Sequence, residues 1–186
     1  MESKHKNALI GALLAVVFVM AVGYAAFAQQ LTINGSASIT SKWDVHMTND
    51  GKSATPESTM GTTPTGDINV EGGGLTATFT ANFTSPGDKI TFVVPIENKG
   101  TLDAKLSTIT LSSDTPDMQI DQGQLTATTQ DGNIKYTVTR PTANPLTANT
   151  GKDTLTIVAE FVDQEGQGNL LNLTAQLTVT MNYVQA

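Results

Sequence analysis

From Leu171 to Tyr183 the chain alternates without a break. Leu171, Leu173, Ala175, Leu177, Val179, Met181 and Tyr183 are interleaved with Asn172, Thr174, Gln176, Thr178, Thr180 and Asn182. A period of two puts one residue set on each face of a strand, so this segment has one face for burial and one for water. The run is longer than the usual strand of about 3–10 residues, which predicts a strand crossing a whole sandwich and bent by a bulge.

The same period recurs through most of the chain after residue 30. Leu31, Ile33, Gly35, Ala37 and Ile39 oppose Thr32, Asn34, Ser36, Ser38 and Thr40, and the phase carries on through Trp43, Val45 and Met47. This reads as one long strand, or two in register. Leu75–Thr84, Ile134–Val138 and Leu155–Val162 alternate in the same way. Ile90–Ile96 is apolar in both phases, which predicts burial on both sides, and Pro95 there marks an edge, a bulge or a strand end. Leu102, Ala104 and Leu106 are followed by Ile109 and Leu111 out of phase. The 30 threonines suit pleated strands with a wet face, because Thr is β-branched and its hydroxyl tolerates water.

Residues 48–74, rich in Gly, Thr, Ser and Pro, read as a long surface excursion with one short strand at Ile68–Val70. Residues 112–133 read as a loop with a short strand at Leu125–Thr129, and residues 141–153 as a loop. Ser85-Pro86-Gly87-Asp88, Glu97–Thr101 and Asp131-Gly132 are turn signals. Eight to ten strands with no amphipathic helix among them predict an all-β fold, a two-sheet sandwich of jelly-roll type.

The first residues differ in kind. Lys4, His5 and Lys6 precede an uncharged run from Ala8 to Ala28 that ends in Ala26-Phe27-Ala28, a small-x-small pattern. This predicts an apolar signal helix over 1–28, cleaved before Gln29, and a secreted product found in extracellular matrix or at the cell surface. The run is also long enough to span a bilayer, so the alternative is a retained anchor through residues 8–28. Residues 29–40 then form a free-ended strand and 41–186 the sandwich domain. Without residues 1–28 the chain carries 8 basic and 16 acidic side chains, a net −8. That balance disfavours nucleic acid and anionic lipid as partners. With no cysteine, thiol catalysis, thiolate metal sites and disulfides are excluded, and packing or neighbouring subunits must supply stability.

Catalytic chemistry is thin. His46 is the only histidine after the signal and continues the polar face of the first strand. No H-E-x-x-H or G-x-S-x-G is present. Most carboxylates (Asp67, Asp88, Asp114, Asp117, Asp131, Asp163) fall in turns, where Asp shapes the backbone. Ser113–Asp117 with Asp121 offers oxygen ligands without EF-hand spacing, so no metal or other cofactor is expected. Asn34, Asn82 and Asn172 sit in N-x-S/T sequons. Trp43, on the apolar side of the first strand, is expected in the core.

Pro86-Gly87-Asp88, an alternating strand, then Asn98, Gly100, Thr101, Asp103, Ala104 and Leu106 form a pattern that resembles the TasA/camelysin family of secreted fibre-forming proteins, which includes archaeal bundling-pilus subunits. Trp43-Asp44-Val45 and the terminal Leu177–Tyr183 segment agree with it. The resemblance implies a jelly-roll subunit of an extracellular biofilm fibre or pilus. Its partners would be copies of itself and other matrix components, and its N-terminal strand would complete the sheet of the next subunit. Here that strand would present Leu31, Ile33, Gly35, Ala37 and Ile39. The alternation at a free chain end supports this separately: an unpaired strand invites pairing with another chain, and head-to-tail pairing propagates. The competing reading is a monomeric, surface-anchored adhesion or ligand-binding module.

Overall fold

The computed structural model describes residues 2–28, 40–71, 73–164 and 173–186. The chain divides into two compact units, Met1–Thr40 and Ser41–Ala186. The first holds helix α1 (Glu2–Ala28). Its apolar side chains, Leu9 to Tyr24, are exposed, and His5–Val22 has a mean hydropathy of 1.9, long and apolar enough to cross a membrane. A helix apolar on every side has no polar face to turn to water.

The second unit is an antiparallel sandwich. Its strands are β1 (Val45–Met47), β2 (Ser53–Glu57), β3 (Thr65–Val70), β4 (Thr76–Phe83), β5 (Lys89–Asn98), β6 (Ala104–Ser112), β7 (Gln119–Asp121), β8 (Thr126–Thr128), β9 (Ile134–Thr139), β10 (Gly151–Phe161) and β11 (Leu173–Gln185). One sheet of seven strands runs β1-β5-β10-β9-β8-β7, with β2 also on β5; the other runs β3-β4-β11-β6. The connections β2–β3, β4–β5, β5–β6, β6–β7 and β10–β11 pass from sheet to sheet, while β7 to β10 run as a meander.

The alternation sets the core. In β11, Ala175, Leu177, Val179, Met181 and Tyr183 are buried and the residues between them are not. Across the sandwich Phe79 meets Phe92 edge-on with ring centroids 5.5 Å apart, and Phe83 meets Phe161 at 6.1 Å. The Tyr136 hydroxyl, from β9, crosses the interior to donate to Ala175 O at 2.6 Å in the opposite sheet. On the wet side of β4 and β11 the hydroxyls pair with one another: Thr76 with Thr180 at 3.1 Å and Thr78 with Thr178 at 3.0 Å.

Several expectations are corrected. The excursion at 48–74 holds two strands. β2 was hidden because Ser53–Glu57 is polar and carries Pro56, tolerable only on an outer strand. Ile90–Ile96 is buried on one face only: Ile90, Phe92, Val94 and Ile96 point inward, while Thr91, Val93 and Pro95 are half-exposed. Pro95 sits inside β5, not at its end. Its carbonyl accepts from Thr48 N at 2.9 Å, so its nitrogen faces the same side, where β1 has ended and β2 has not begun. The missing N–H therefore costs no ladder bond. The phase change before Ile109 is a β-bulge: Asn182 pairs with Thr108 and Tyr183 with Leu106, leaving Ser107 unmatched. β10 starts at Gly151, earlier than the expected Leu155, and the three-residue strand β7 is too short to show a period. Among the described residues the expected long first strand is β1 alone, and its continuation through Leu31–Ile39 lies outside them.

Two measurements check the core. Tyr136→Phe is expected to lower stability by about 1–3 kcal/mol in urea unfolding, because Ala175 O loses its buried partner. Burial pushes the Tyr183 phenol up to about 12, with Asp153 adding to the shift, and burial also raises Tyr136. A raised phenol contributes stability that is complete below about pH 10, its unfolded value, and is lost as pH rises through the folded value. Urea midpoints are expected to fall between pH 10 and 12, and to fall less in Tyr183→Phe.

Candidate functional site

The family-like motif occupies both ends of β5. At the N-terminal end, Pro86 and Gly87 make the turn, with Gly87 at φ +85°. Asp88 is fully buried, and its carboxylate accepts from Thr59 N (2.8 Å), Thr59 Oγ1 (3.0 Å), Ser85 N (3.1 Å) and Thr84 Oγ1 (3.3 Å). Gly87 N donates to Phe161 O at 2.7 Å, and Phe161 N to Asp88 O at 2.9 Å, which ties the turn to β10.

At the other end, Asn98 is 1% exposed. Its amide donates to Leu102 O and Leu146 O, both at 2.9 Å, and its Oδ1 accepts from Gly100 N at 2.9 Å. Asp103 Oδ1 accepts from Ala148 N at 2.7 Å, and Asp103 O from Ala186 N at 3.0 Å. Gly100 is there because a Cβ would stand 2.6 Å from Lys42 O and 2.8 Å from Asp44 N. Lys99 N donates to Asp44 O and Thr101 N to Lys42 O, each at 2.8 Å. This end of the motif thus grips the backbone at Lys42–Asp44, the 144–149 loop and the C-terminus together. Ten residues of strand separate the two halves of the motif, roughly 30 Å, so they form two fasteners and not one site.

Charges gather beside this grip. The Lys42 ammonium, hydrogen-bonded to Asp44, holds its carboxyl below the usual carboxylate range, and His46 adds to this with Nδ1–H donating to Asp44 Oδ1 at 2.8 Å. Glu97 is lowered in the same way by Lys99 at 2.9 Å and Lys152 at 3.2 Å. His46, expected as an exposed strand residue, is half-buried in this pair.

Trp43 is the clearest departure. It was expected in the core and is 43% exposed. The pairing of β1 begins only at Val45, so the phase that buries Val45 and Met47 has no ladder to act on at Trp43. It lines a groove of about 600 Å³ with Asp44, His46, Asn49 and Glu71. The charged neighbours Lys42 and Asp44 were the one sequence signal that the core side had ended.

Leu31, Ile33, Gly35, Ala37 and Ile39 lie outside the described residues, as do Asn34 and Asn172. Asn82 is on the wet face of β4, its Oδ1 accepting from Thr174 Oγ1 at 2.8 Å. The oxygen-rich stretch at 113–121 is occupied with turn bonds: Thr115 N to Ser113 Oγ at 3.0 Å, and Gly123 N and Gln124 N to Asp121 Oδ1 at 2.9 and 3.0 Å. Among the described residues no group of three or more His, Asp or Glu could hold a metal ion. Searches of protein-family models, curated proteins and solved structures find no match to this chain.

Asp88→Ala is expected to destabilise the domain by about 3 kcal/mol, since two backbone N–H groups lose a charged acceptor, and Asp88→Asn by less. Thermal melts of the two variants against the parent protein check the order.

Proposed function

We propose that the protein is an exported structural subunit of an extracellular fibre or pilus of biofilm-matrix type, joined by donation of segment 29–40 to a sheet edge of the next copy. The observation that carries this reading is the order of parts. An exposed apolar helix ends at Ala28, the compact sandwich begins at Ser41, and the sequence between them alternates apolar and polar residues. Leu31, Ile33, Gly35, Ala37 and Ile39 provide one apolar row, which is what strand addition uses: main-chain bonds for affinity and alternate side chains for specificity.

The sandwich has outer strands that can receive it. β3 and β7 end their sheets. The outer side of β6 is less open, because Gln122 bonds both Leu111 N (3.0 Å) and Leu111 O (2.7 Å), and Leu146 bridges Ala104. The grip of Gly100 and Thr101 on Lys42 gives the incoming chain a fixed root. Head-to-tail donation does not close on itself, so it yields a filament.

The test is negative-stain microscopy of the secreted protein. Ile33→Asp with Ile39→Asp, which puts charge on the apolar row, is expected to abolish filaments and leave the melting temperature unchanged. Asn34→Asp, on the polar row, is expected to keep them. Normal filaments from the double variant overturn the reading.

A further inference from the structure

The groove beside Trp43 has no part in the fibre reading, and its construction is specific. A lone exposed aromatic carries no meaning by itself. Trp43 differs in that it stands at the side of a cleft of about 600 Å³ whose walls also carry the polar side chains of Asp44, His46, Asn49 and Glu71, beside Val70, Leu75, Gly73 and Gly74. Part of the backbone there is already used. Met47 N donates to Gly74 O, Thr48 N to Pro95 O at 2.9 Å, Gly74 N to Glu71 O at 3.0 Å and Glu71 N to Thr76 O at 2.9 Å. An added peptide strand needs free main-chain partners and would find these four pairs taken, which favours a ligand recognised by side chains.

Charge narrows it further. Two carboxylates, in a chain of net −7, repel polyanions. Asp44 already has Lys42 and His46 as partners, which leaves Glu71, bonded only by the neutral Thr78 Oγ1 at 3.4 Å, as a single carboxylate, too few ligands for a cation site. A single aromatic is also no cage for an ammonium group. What remains is a hydrogen-bond acceptor row, the Asn49 amide with both donor and acceptor capacity, and a flat apolar plate with an indole N–H. A pyranose ring has the matching chemistry: a C–H face to lie on the indole and a rim of hydroxyls for the carboxylates and the amide.

We propose that this groove is a saccharide subsite that takes a ring of a neutral polysaccharide, with Trp43 as the stacking platform and Asp44, Asn49 and Glu71 as hydroxyl partners. The site does not depend on the fibre reading: a monomeric surface module would use it equally.

Trp43 is the only tryptophan, so its emission reports on this groove alone. The full chain in a non-glycoside detergent is titrated with hexamers of β-1,4-linked glucose and of N-acetylglucosamine, and with polygalacturonate. A saturable change in emission is expected with a neutral hexamer and none with the polyanion. Calorimetry with that hexamer is expected to give about tenfold weaker binding for Trp43→Ala, the loss of one stacked ring, and partial recovery for Trp43→Phe. Asn49→Ala, which leaves the indole in place, is expected to weaken the fluorescence titration. The proposal is overturned if neither hexamer gives a saturable signal, if polygalacturonate binds as well, or if Trp43→Ala binds like the parent with an unchanged melt. Filament formation is expected to survive Trp43→Ala, so failure of this site and failure of strand donation are told apart.

Discussion

Two sheets with no disulfide between them are held by the packing of their inner faces, and every other feature of the sandwich follows from keeping those faces apolar. A slip of one residue would turn a whole strand inside out. The core therefore rests on register, and register rests on a few irregular places. The unmatched Ser107 lets β6 change phase, so that Ala104 on one side of it and Ile109 and Leu111 on the other all face inward. The gap between β1 and β2 admits Pro95 into a central strand without breaking a ladder bond. The Tyr136 hydroxyl adds a polar bond across an otherwise dry interface, and among the described residues no buried side-chain N or O atom lacks a partner. A satisfied polar contact in a core constrains sheet placement more sharply than apolar contact alone, because it has direction.

Where strands end, side chains take over the work of the ladder. Asp88 gathers four donors at one end of β5, and Asn98 with Asp103 ties the 100–102 turn to the 146–148 loop at the other. Asp88 and Asn98 are buried, and all three side chains are bonded to backbone, which places the family-like motif among structural fasteners. Recognition of a pattern across Pro86–Asp103 therefore speaks to how the sandwich is tied, and the fibre reading draws its support from elsewhere, from what precedes Ser41.

The fold was legible because alternation is a direct record of burial: β9 and β11 bury their apolar rows as their period predicts, and β4 departs from it only at Thr78, which is buried on the polar row. The illegible parts each have a cause. β7 is too short for a period to appear, and β2 is polar apart from Ala54, its one residue packed against the core. Val93 is apolar yet half-exposed, since a β-branched side chain favours a strand on either face. Trp43 shares the phase of Val45 and Met47 but precedes the start of pairing, so the period does not bury it. A period states which residues share a face only where a neighbouring strand exists, and sequence does not record where that neighbour stops.

That same boundary gives Trp43 its setting. It lies between Lys42 and Asp44, whose carbonyls are both held by the 99–101 turn, so its backbone is fixed although its side chain is in water. An aromatic plate on a fixed backbone loses little freedom when a ligand covers it, which favours binding by a small contact. The grip also separates two tasks along the chain. Whatever segment 29–40 pairs with, Lys42–Asp44 is anchored to β5 by main-chain bonds, so pairing upstream need not disturb the groove. The proposed saccharide ring at Trp43 and the proposed subunit pairing through segment 29–40 would then fall to adjacent parts of one chain, the first of them tied to β5 by main-chain bonds.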